Sequence, residues 1–98
     1  MAYTARDAFD EIIAFIKEHG DNLNSWYCGI TDNVERRLFN EHYVSRDGLY
    51  NSCDCLNDLD ARAVEKRLIE LGCRGDTGGG DDDSIYVYVY KIGLTTIQ

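Results

Sequence analysis

Apolar residues recur along this chain at two spacings, one helical and one extended. Over residues 4–19, apolar side chains at positions i, i+3, i+4 and i+7 form a single stripe. The stripe consists of Phe9, Ile12, Ile13 and Ile16. Thr4, with Asp7 three residues later, resembles a capping box, and Gly20 is a natural stop. The pattern therefore predicts an N-terminal amphipathic helix.

Other stretches alternate between two faces, as strands do. Residues 25–30 alternate in this way, and residues 84–92, SIYVYVYKI, are the strongest strand signal in the chain. In the first stretch one face holds Trp26, Cys28 and Ile30 and the other holds Tyr27 and Gly29. In the second stretch one face holds Tyr86, Tyr88 and Tyr90 and the other holds Val87 and Val89. A weaker strand is predicted over residues 49–55.

Two further helices are predicted between these strands. Asp32 is expected to start one that ends near residue 42. Either Asn57 or Asp58 starts another over residues 59–71. The resulting order α-β-α-β-α-β predicts an α+β fold, in which helices pack on a small three-stranded, mainly antiparallel sheet.

Length and composition indicate one small globular domain. The chain has 98 residues, of which 44% are hydrophobic, so we expect a single domain over residues 1–98 with an extra helix in residues 1–20. No apolar run approaches the roughly 20 residues of a membrane span, and no signal-peptide pattern is visible. We therefore expect a cytoplasmic protein without a membrane partner. The four cysteines are expected to be reduced and mostly buried, with a metal site or a disulfide as the alternative.

The net charge of -8 argues against a broad nucleic-acid-binding face. The charge is uneven, because residues 74–83, RGDTGGGDDD, contribute four aspartates in a segment predicted to be a flexible acidic loop. A few local arginines and a metal ion can still bind phosphate. The charge therefore lowers the expectation of a nuclease without excluding one.

Several charged residues occupy unusual helical positions. Helical spacing places Glu65 inside the apolar arc of its helix, which is costly unless the carboxylate has a partner or a metal. Glu65 is therefore either paired with an arginine, exposed at the helix edge, or functional. On the preceding helix Arg37 flanks the buried side, whereas Arg36 is expected to be solvated. Taken alone, Arg37 suits a surface ion pair and His42 suits a helix-end histidine.

Together these residues form a plausible phosphodiester site. Glu65 would hold a divalent metal through hard oxygen ligands. The metal and Arg37 would stabilise charge that develops on phosphate. Tyr27, on the preceding strand, would position or deprotonate a water nucleophile.

The stretch WYCGITDNVERRLFNEH resembles the second half of the GIY-YIG nuclease motif. Tyr27-Cys28-Gly29 stands at the Tyr-Ile-Gly element, and Arg37-Leu38 stands where the family has its catalytic arginine. Further on, ARAVEKRLI resembles the later helix that carries a metal-binding glutamate, here Glu65. The resemblance covers roughly residues 26–69.

This resemblance implies a metal-dependent DNA endonuclease. Its catalytic residues would be Tyr27, Arg37 and His42, and Glu65 would bind Mg²⁺ or Mn²⁺. The implied partner is nucleic acid. Two further interpretations stay open, namely a catalytically silent binding module that keeps the fold and an acidic protein that mimics DNA.

The chain departs from the family pattern upstream of Tyr27, where no Gly-Ile-Tyr strand is visible. The family's late asparagine is not evident, and His42 is one residue later than the commonest spacing. One hypothesis is that strand 85–91 fills the missing sheet position and that Tyr86, Tyr88 or Tyr90 supplies the missing tyrosine. If strand 85–91 were instead an exposed edge, it could pair with a second copy to form a homodimer.

Overall fold

Three antiparallel strands form one sheet, and the last strand of the chain is its central strand. The computed structural model describes residues 2–20, 22–76 and 80–98. The strands are β1 (Trp26–Thr31), β2 (Tyr50–Asp54) and β3 (Tyr86–Lys91), in the order β1-β3-β2. The predicted α+β fold, a three-stranded antiparallel sheet with helices packed on it, is confirmed. The prediction of an exposed edge at strand 85–91 is wrong, because β1 and β2 pair with both sides of β3.

Both long helices begin and end where the sequence predicts. Helix α1 (Ala5–Glu18) is capped by Thr4, whose Oγ1 accepts a hydrogen bond of 3.1 Å from the Asp7 amide. Helix α2 (Asp58–Leu71) is capped by Asn57, whose Oδ1 accepts one of 2.8 Å from the Asp60 amide. Asn57, rather than Asp58, is therefore the cap.

One face of the sheet packs against both helices and is almost entirely apolar. We call it the helical face. Its strand residues are Trp26, Cys28, Ile30, Cys53, Val87 and Val89, and its helix residues include Ala8, Ile12, Ile16, Ala61, Val64 and Leu68. All of these side chains are buried, so this face forms the main hydrophobic core.

The opposite face of the sheet carries tyrosines, and we call it the tyrosine face. Tyr27, Tyr88 and Tyr90 are buried there with Leu38 and Val44. The predicted alternation of faces in β1 and β3 is thus confirmed. In the register of the sheet, Tyr27 lies opposite Tyr90, and Gly29 lies opposite Tyr88.

The segment that covers the tyrosine face is a π-helix, Arg36–Glu41, rather than the expected α-helix. The His42 amide donates to the Arg37 carbonyl five residues earlier, at 2.9 Å, which widens the turn. The expected cap at Asp32 is also wrong. Asn33 Oδ1 accepts from the Arg36 amide at 3.0 Å, because the Asp32 carboxylate is engaged by the Arg36 guanidinium at 2.6 Å.

The prediction that the cysteines are reduced and mostly buried is confirmed. All four cysteines are free and buried. None of the described helices is long and apolar enough to cross a lipid bilayer. In the predicted acidic loop, residues 77–79 lie outside the described residues. Arg74 lies beside β1, where it exchanges two backbone hydrogen bonds of 2.8 Å with Trp26 and Cys28.

Candidate active site

A cleft of about 640 Å³ opens beside β1. Its walls come from β1, the π-helical segment, α2, β3 and the residues that follow α2. They include Tyr27, Arg36, Arg37, Glu41, Glu65, Asp76 and Tyr88. Three of the four residues predicted from the sequence, Tyr27, Arg37 and Glu65, therefore line one cleft. The fourth, His42, lies behind the cleft wall.

Glu65 is buried, and its carboxylate forms no salt bridge within the described part of the chain, although the charge of Arg62 acts on it. The residue is only 3% exposed. Among residues 2–20, 22–76 and 80–98, no side chain forms an ion pair or a hydrogen bond with this carboxylate, and no fully buried side-chain oxygen or nitrogen lacks a partner. Glu65 lines the cleft. Burial raises the pKa of Glu65 to about 7, which Arg62 opposes and Asp76 reinforces.

Arg37 is held between a carboxylate and a phenol. Its Nη1 donates to Glu41 Oε1 at 2.5 Å, and its Nε donates to Tyr88 Oη at 3.1 Å. The other Glu41 oxygen accepts from Arg36 Nε at 2.9 Å. Arg36 is exposed, as expected, and it also lines the cleft. Arg37 lies four residues before Glu41, an ordinary helical spacing, whereas Arg36 lies five residues before it, a pairing that the wide π-helical turn allows.

Tyr88 comes from the central strand β3, and its hydroxyl is hydrogen-bonded to both Arg37 and His42. Its ring packs over Gly29, where an added Cβ would lie 2.7 Å from the ring carbon Cζ. Any residue with a Cβ at position 29 of β1 would collide with the Tyr88 ring, so only glycine fits there. The glycine of the Tyr27-Cys28-Gly29 stretch therefore fixes where the Tyr88 hydroxyl lies.

His42 is buried, and its tautomer follows from its contacts. Its Nδ1 lies 2.6 Å from the Ile97 carbonyl oxygen, which can only accept, so Nδ1 carries the proton. Burial lowers the pKa of His42. The neutral ring then accepts at Nε2 from Tyr88 Oη, 2.8 Å away. Tyr88 thus donates to His42 and accepts from Arg37.

Tyr27 lines the cleft from the tyrosine face. Its ring stacks on Tyr90, with centroids 5.3 Å apart, and contacts the His42 ring at 4.8 Å. Burial raises the pKa of the Tyr27 phenol, although Arg37 opposes the shift. The phenol is therefore neutral near pH 7 and can donate or accept a hydrogen bond in the cleft.

The donor set suits a hard cation that keeps water ligands. Within the described residues, no group of three or more His, Cys, Asp or Glu side chains could hold a metal. Mg²⁺ commonly takes only one or two carboxylates and completes its shell with water and phosphate oxygens. Glu65 is a buried carboxylate on the cleft wall, so it is suited to be one of these protein ligands.

Sequence reasoning missed two contributors to this cleft, Glu41 and Asp76, and left a third, Tyr88, among alternatives. Tyr88 was one of three candidate tyrosines. The register of the sheet, which places Tyr88 opposite Gly29, distinguishes it from Tyr86 and Tyr90. Glu41 was overlooked because its spacing from Arg36 suits a π-helix rather than an α-helix. Asp76 lies in a segment with the composition of a loop, and no periodic pattern marks it.

Comparison with known proteins adds no assignment to this geometry. No family model matches the chain, and neither do any curated proteins or solved structures.

Proposed function

We propose that this chain is a GIY-YIG-like endonuclease that hydrolyses phosphodiester bonds in DNA with the help of a divalent metal. One observation carries the proposal: Tyr27, Arg37 and Glu65 line the same cleft, and Glu65 is a buried carboxylate there, only 3% exposed. A catalytically silent relative would be expected to neutralise that carboxylate with an arginine. Here Arg36 and Arg37 pair with Glu41 and Asp32 instead, and the nearby charge of Arg62 does not prevent the pKa of Glu65 from rising.

Tyr88 supports the hypothesis that the last strand replaces the missing Gly-Ile-Tyr strand. β3 pairs directly with β1, and Tyr88 lines the cleft together with Tyr27. A strand far from Tyr27 would have excluded the hypothesis. The site would then contain two tyrosines, one from each of two neighbouring strands.

Arg37 is suited to bind the phosphate. Although burial lowers the pKa of Arg37, the hydrogen bonds that it donates to Glu41 and Tyr88 raise this pKa above the ordinary value, so Arg37 stays a cation. These bonds occupy Nη1 and Nε and fix the plane of the guanidinium. The remaining N–H groups can donate to phosphate oxygens as charge develops on them.

Glu65 would hold Mg²⁺ or Mn²⁺ in the cleft. When bound, such a cation stabilises negative charge on the phosphate and lowers the pKa of a coordinated water. Glu65 must be ionised for this role. The acidic surroundings of the cleft favour a cation, and they make phosphate binding dependent on it.

The Tyr88–His42 hydrogen bond provides a route for the proton of the attacking water. Tyr88 Oη can accept that proton while its own proton passes to His42 Nε2 across 2.8 Å. The Tyr88 phenol therefore does not have to become an anion. Burial makes that anion unfavourable, because it raises the pKa of Tyr88 well above its ordinary value. Tyr27 would position the water by a hydrogen bond from its neutral phenol.

Plasmid nicking tests the proposal. Wild-type protein is expected to nick supercoiled DNA with Mg²⁺ or Mn²⁺ and to stop when the metal is chelated. Glu65→Gln is expected to abolish nicking. Glu70→Gln is the matched control, because Glu70 lies on the same helix but is exposed, with a side chain 55% accessible. No nicking by wild type with either metal contradicts the proposal, and equal nicking by Glu65→Gln indicates a contaminating nuclease.

A further inference from the structure

The carboxylate of Glu41 is shared by the two arginines of the π-helical segment. Its Oε1 accepts a hydrogen bond from Arg37 Nη1 at 2.5 Å, and its Oε2 accepts one from Arg36 Nε at 2.9 Å. Each carboxylate oxygen therefore holds one guanidinium, and the two cations lie on either side of a single acid. The hydrogen bond from Arg37 lowers the pKa of Glu41, so the carboxylate stays ionised near pH 7.

Each arginine is also held by a second partner. Arg36 Nη2 donates to Asp32 Oδ1 at 2.6 Å, and Arg37 Nε donates to Tyr88 Oη at 3.1 Å. These bonds join with those of Glu41 into one network, and every member of it lines the cleft. An isolated exposed ion pair contributes little, whereas charges joined in a network hold one another in place.

Both guanidiniums keep donors for a ligand. A guanidinium has five N–H groups in one plane, and the hydrogen bonds within the described residues engage only two nitrogens of each arginine. The side chains of Arg36 and Arg37 are 45% and 38% accessible, so a ligand can approach both from solvent. Successive phosphates of a nucleic-acid strand are close neighbours that each carry a negative charge. Two cations held side by side therefore match two successive phosphates of one strand.

We propose that Glu41 is a positioning residue, which sets Arg36 and Arg37 side by side to bind two successive phosphates of one nucleic-acid strand. The inference rests on the nucleic-acid substrate of the proposed function, and it adds Arg36 as a second phosphate ligand. Glu41 also offsets the repulsion between the two cations. The π-helical turn allows the arrangement, because it brings residues four and five positions before Glu41 onto the same carboxylate.

Anisotropy of a short fluorescein-labelled DNA duplex with Mg²⁺, read before nicked product accumulates, tests the role of Glu41. Glu41→Gln removes a negative charge from the cleft, so electrostatics alone predicts tighter binding of the polyanion. Positioning predicts the reverse, because the glutamine amide has one acceptor oxygen and a donating NH₂ group and cannot hold both arginines. We expect the affinity to fall roughly tenfold, which corresponds to one hydrogen bond between charged groups.

Glu35→Gln is the matched control. The Glu35 carboxylate pairs with Arg46 at 3.1 Å, its side chain is 70% accessible, and it is not one of the cleft-lining residues. The variant removes the same charge one position before the π-helical segment. Its affinity for the duplex should therefore equal or slightly exceed that of wild type.

The salt dependence of binding tests Arg36 separately. Each phosphate contact steepens the fall of log affinity with log salt concentration by about 0.9 for duplex DNA. Arg36→Gln is therefore expected to reduce this slope by about one. Arg46→Gln is the control, since it removes an exposed, acid-paired arginine that does not line the cleft, and it should leave the slope unchanged.

Four results would overturn the inference. They are binding by Glu41→Gln as tight as or tighter than that of wild type, an equal loss in Glu35→Gln, an unchanged salt slope in Arg36→Gln, and no DNA binding by wild type. Thermal unfolding of each variant separates a lost contact from a lost fold.

The proposed function can fail independently of this inference. Binding that shows the expected effects of the variants would stand even if wild type nicked no DNA with either metal. Conversely, tight binding by Glu41→Gln beside normal nicking by wild type would overturn the inference and leave the nuclease in place.

Discussion

The two faces of the sheet share the same three strands but differ in chemistry. The helical face is packed with aliphatic and cysteine side chains and contains the buried surfaces of α1 and α2. The tyrosine face buries His42 and the hydroxyls of Tyr88 and Tyr90 in one hydrogen-bond network. Alternation along β1 and β3 therefore separates a face that provides stability from a face that places polar groups.

Burying polar groups is costly unless each finds a partner. On the tyrosine face that condition is met, since no fully buried side-chain oxygen or nitrogen of the described residues lacks one. Glu65 differs from them. It belongs to α2, is 3% exposed and lines the cleft, and burial raises the pKa of its carboxyl group to about 7. The proposed metal-binding role would account for a carboxylate in this position.

The largest effect is expected from removing the hydroxyl at the centre of the tyrosine face. Tyr88→Phe should lower the nicking rate roughly 100- to 10,000-fold, the usual contribution of general acid–base groups. It should also lower the free energy of unfolding by about 1–3 kcal/mol, because Arg37 and His42 lose a buried partner. Tyr86→Phe, on the same strand, is the control. Nicking by Tyr88→Phe at the Tyr86→Phe rate would remove Tyr88 from the mechanism.

The helical face should respond in the opposite way. Ile12→Ala removes a side chain with 0% exposure and should lower the free energy of unfolding by about 2–5 kcal/mol. Nicking per folded molecule should stay within a few-fold of wild type. Chemical denaturation measures the first quantity, and Ile12→Val gives a milder version, about 0.5–1.5 kcal/mol, if the alanine variant does not fold. A large loss of nicking by folded Ile12→Val would mean that the two faces are not separate.

A smaller effect is expected at Gly29, where the strand leaves space for the Tyr88 ring. Gly29→Ala puts a Cβ within 2.7 Å of Tyr88 Cζ and should cost about 1–3 kcal/mol of stability. Nicking should fall because the Tyr88 hydroxyl moves away from Arg37 and His42. Gly93→Ala is the control, since its Cβ would meet nothing within 4 Å. Equal thermal stability of both variants would refute the close packing.

The smallest effect is a pH dependence, in which the nicking rate rises and the free energy of unfolding falls as the pH increases. Glu65 has a pKa of about 7, so at subsaturating Mg²⁺ the nicking rate should rise about tenfold per pH unit below 7 and level off above it. The raised pKa means that the folded state holds this proton more tightly than the unfolded state does. The contribution of protonated Glu65 to the free energy of unfolding is therefore complete below the pKa of the unfolded state, near 4.5. This contribution is lost as the pH rises through 7. A rate that is flat from pH 5 to 8 would contradict the assignment.

Local patterns in the sequence predict most of the fold. The alternation in residues 25–30 and 84–92 locates β1 and β3, and Thr4 and Asn57 mark the helix starts. The central position of β3 could not be predicted, because strand order depends on pairing between residues far apart in the chain. The π-helix could not be predicted from the sequence either. It is recognised by the hydrogen bond from the His42 amide to the Arg37 carbonyl, which the apolar spacing does not reveal.

The candidate site was predictable only where residues fall on regular elements. Glu65 and Arg37 were found because helical spacing gives each a direction. Asp76 was not, because backbone bonds between Arg74 and β1 fix its place, and the composition of that segment indicates only a loop. The tautomer of His42 depends on the carbonyl of Ile97, 55 residues away, and no local pattern encodes it.

The most direct test of the central claim measures stability and nicking on one preparation of Glu65→Gln at pH 8. The claim is that Glu65 is buried for metal-dependent cleavage at a cost in stability. The variant should be more stable than wild type by about 1–3 kcal/mol without metal, because one pKa unit corresponds to about 1.4 kcal/mol and the buried charge is gone. It should also be inactive. A variant that nicks DNA normally, or that is less stable than wild type, would contradict the account.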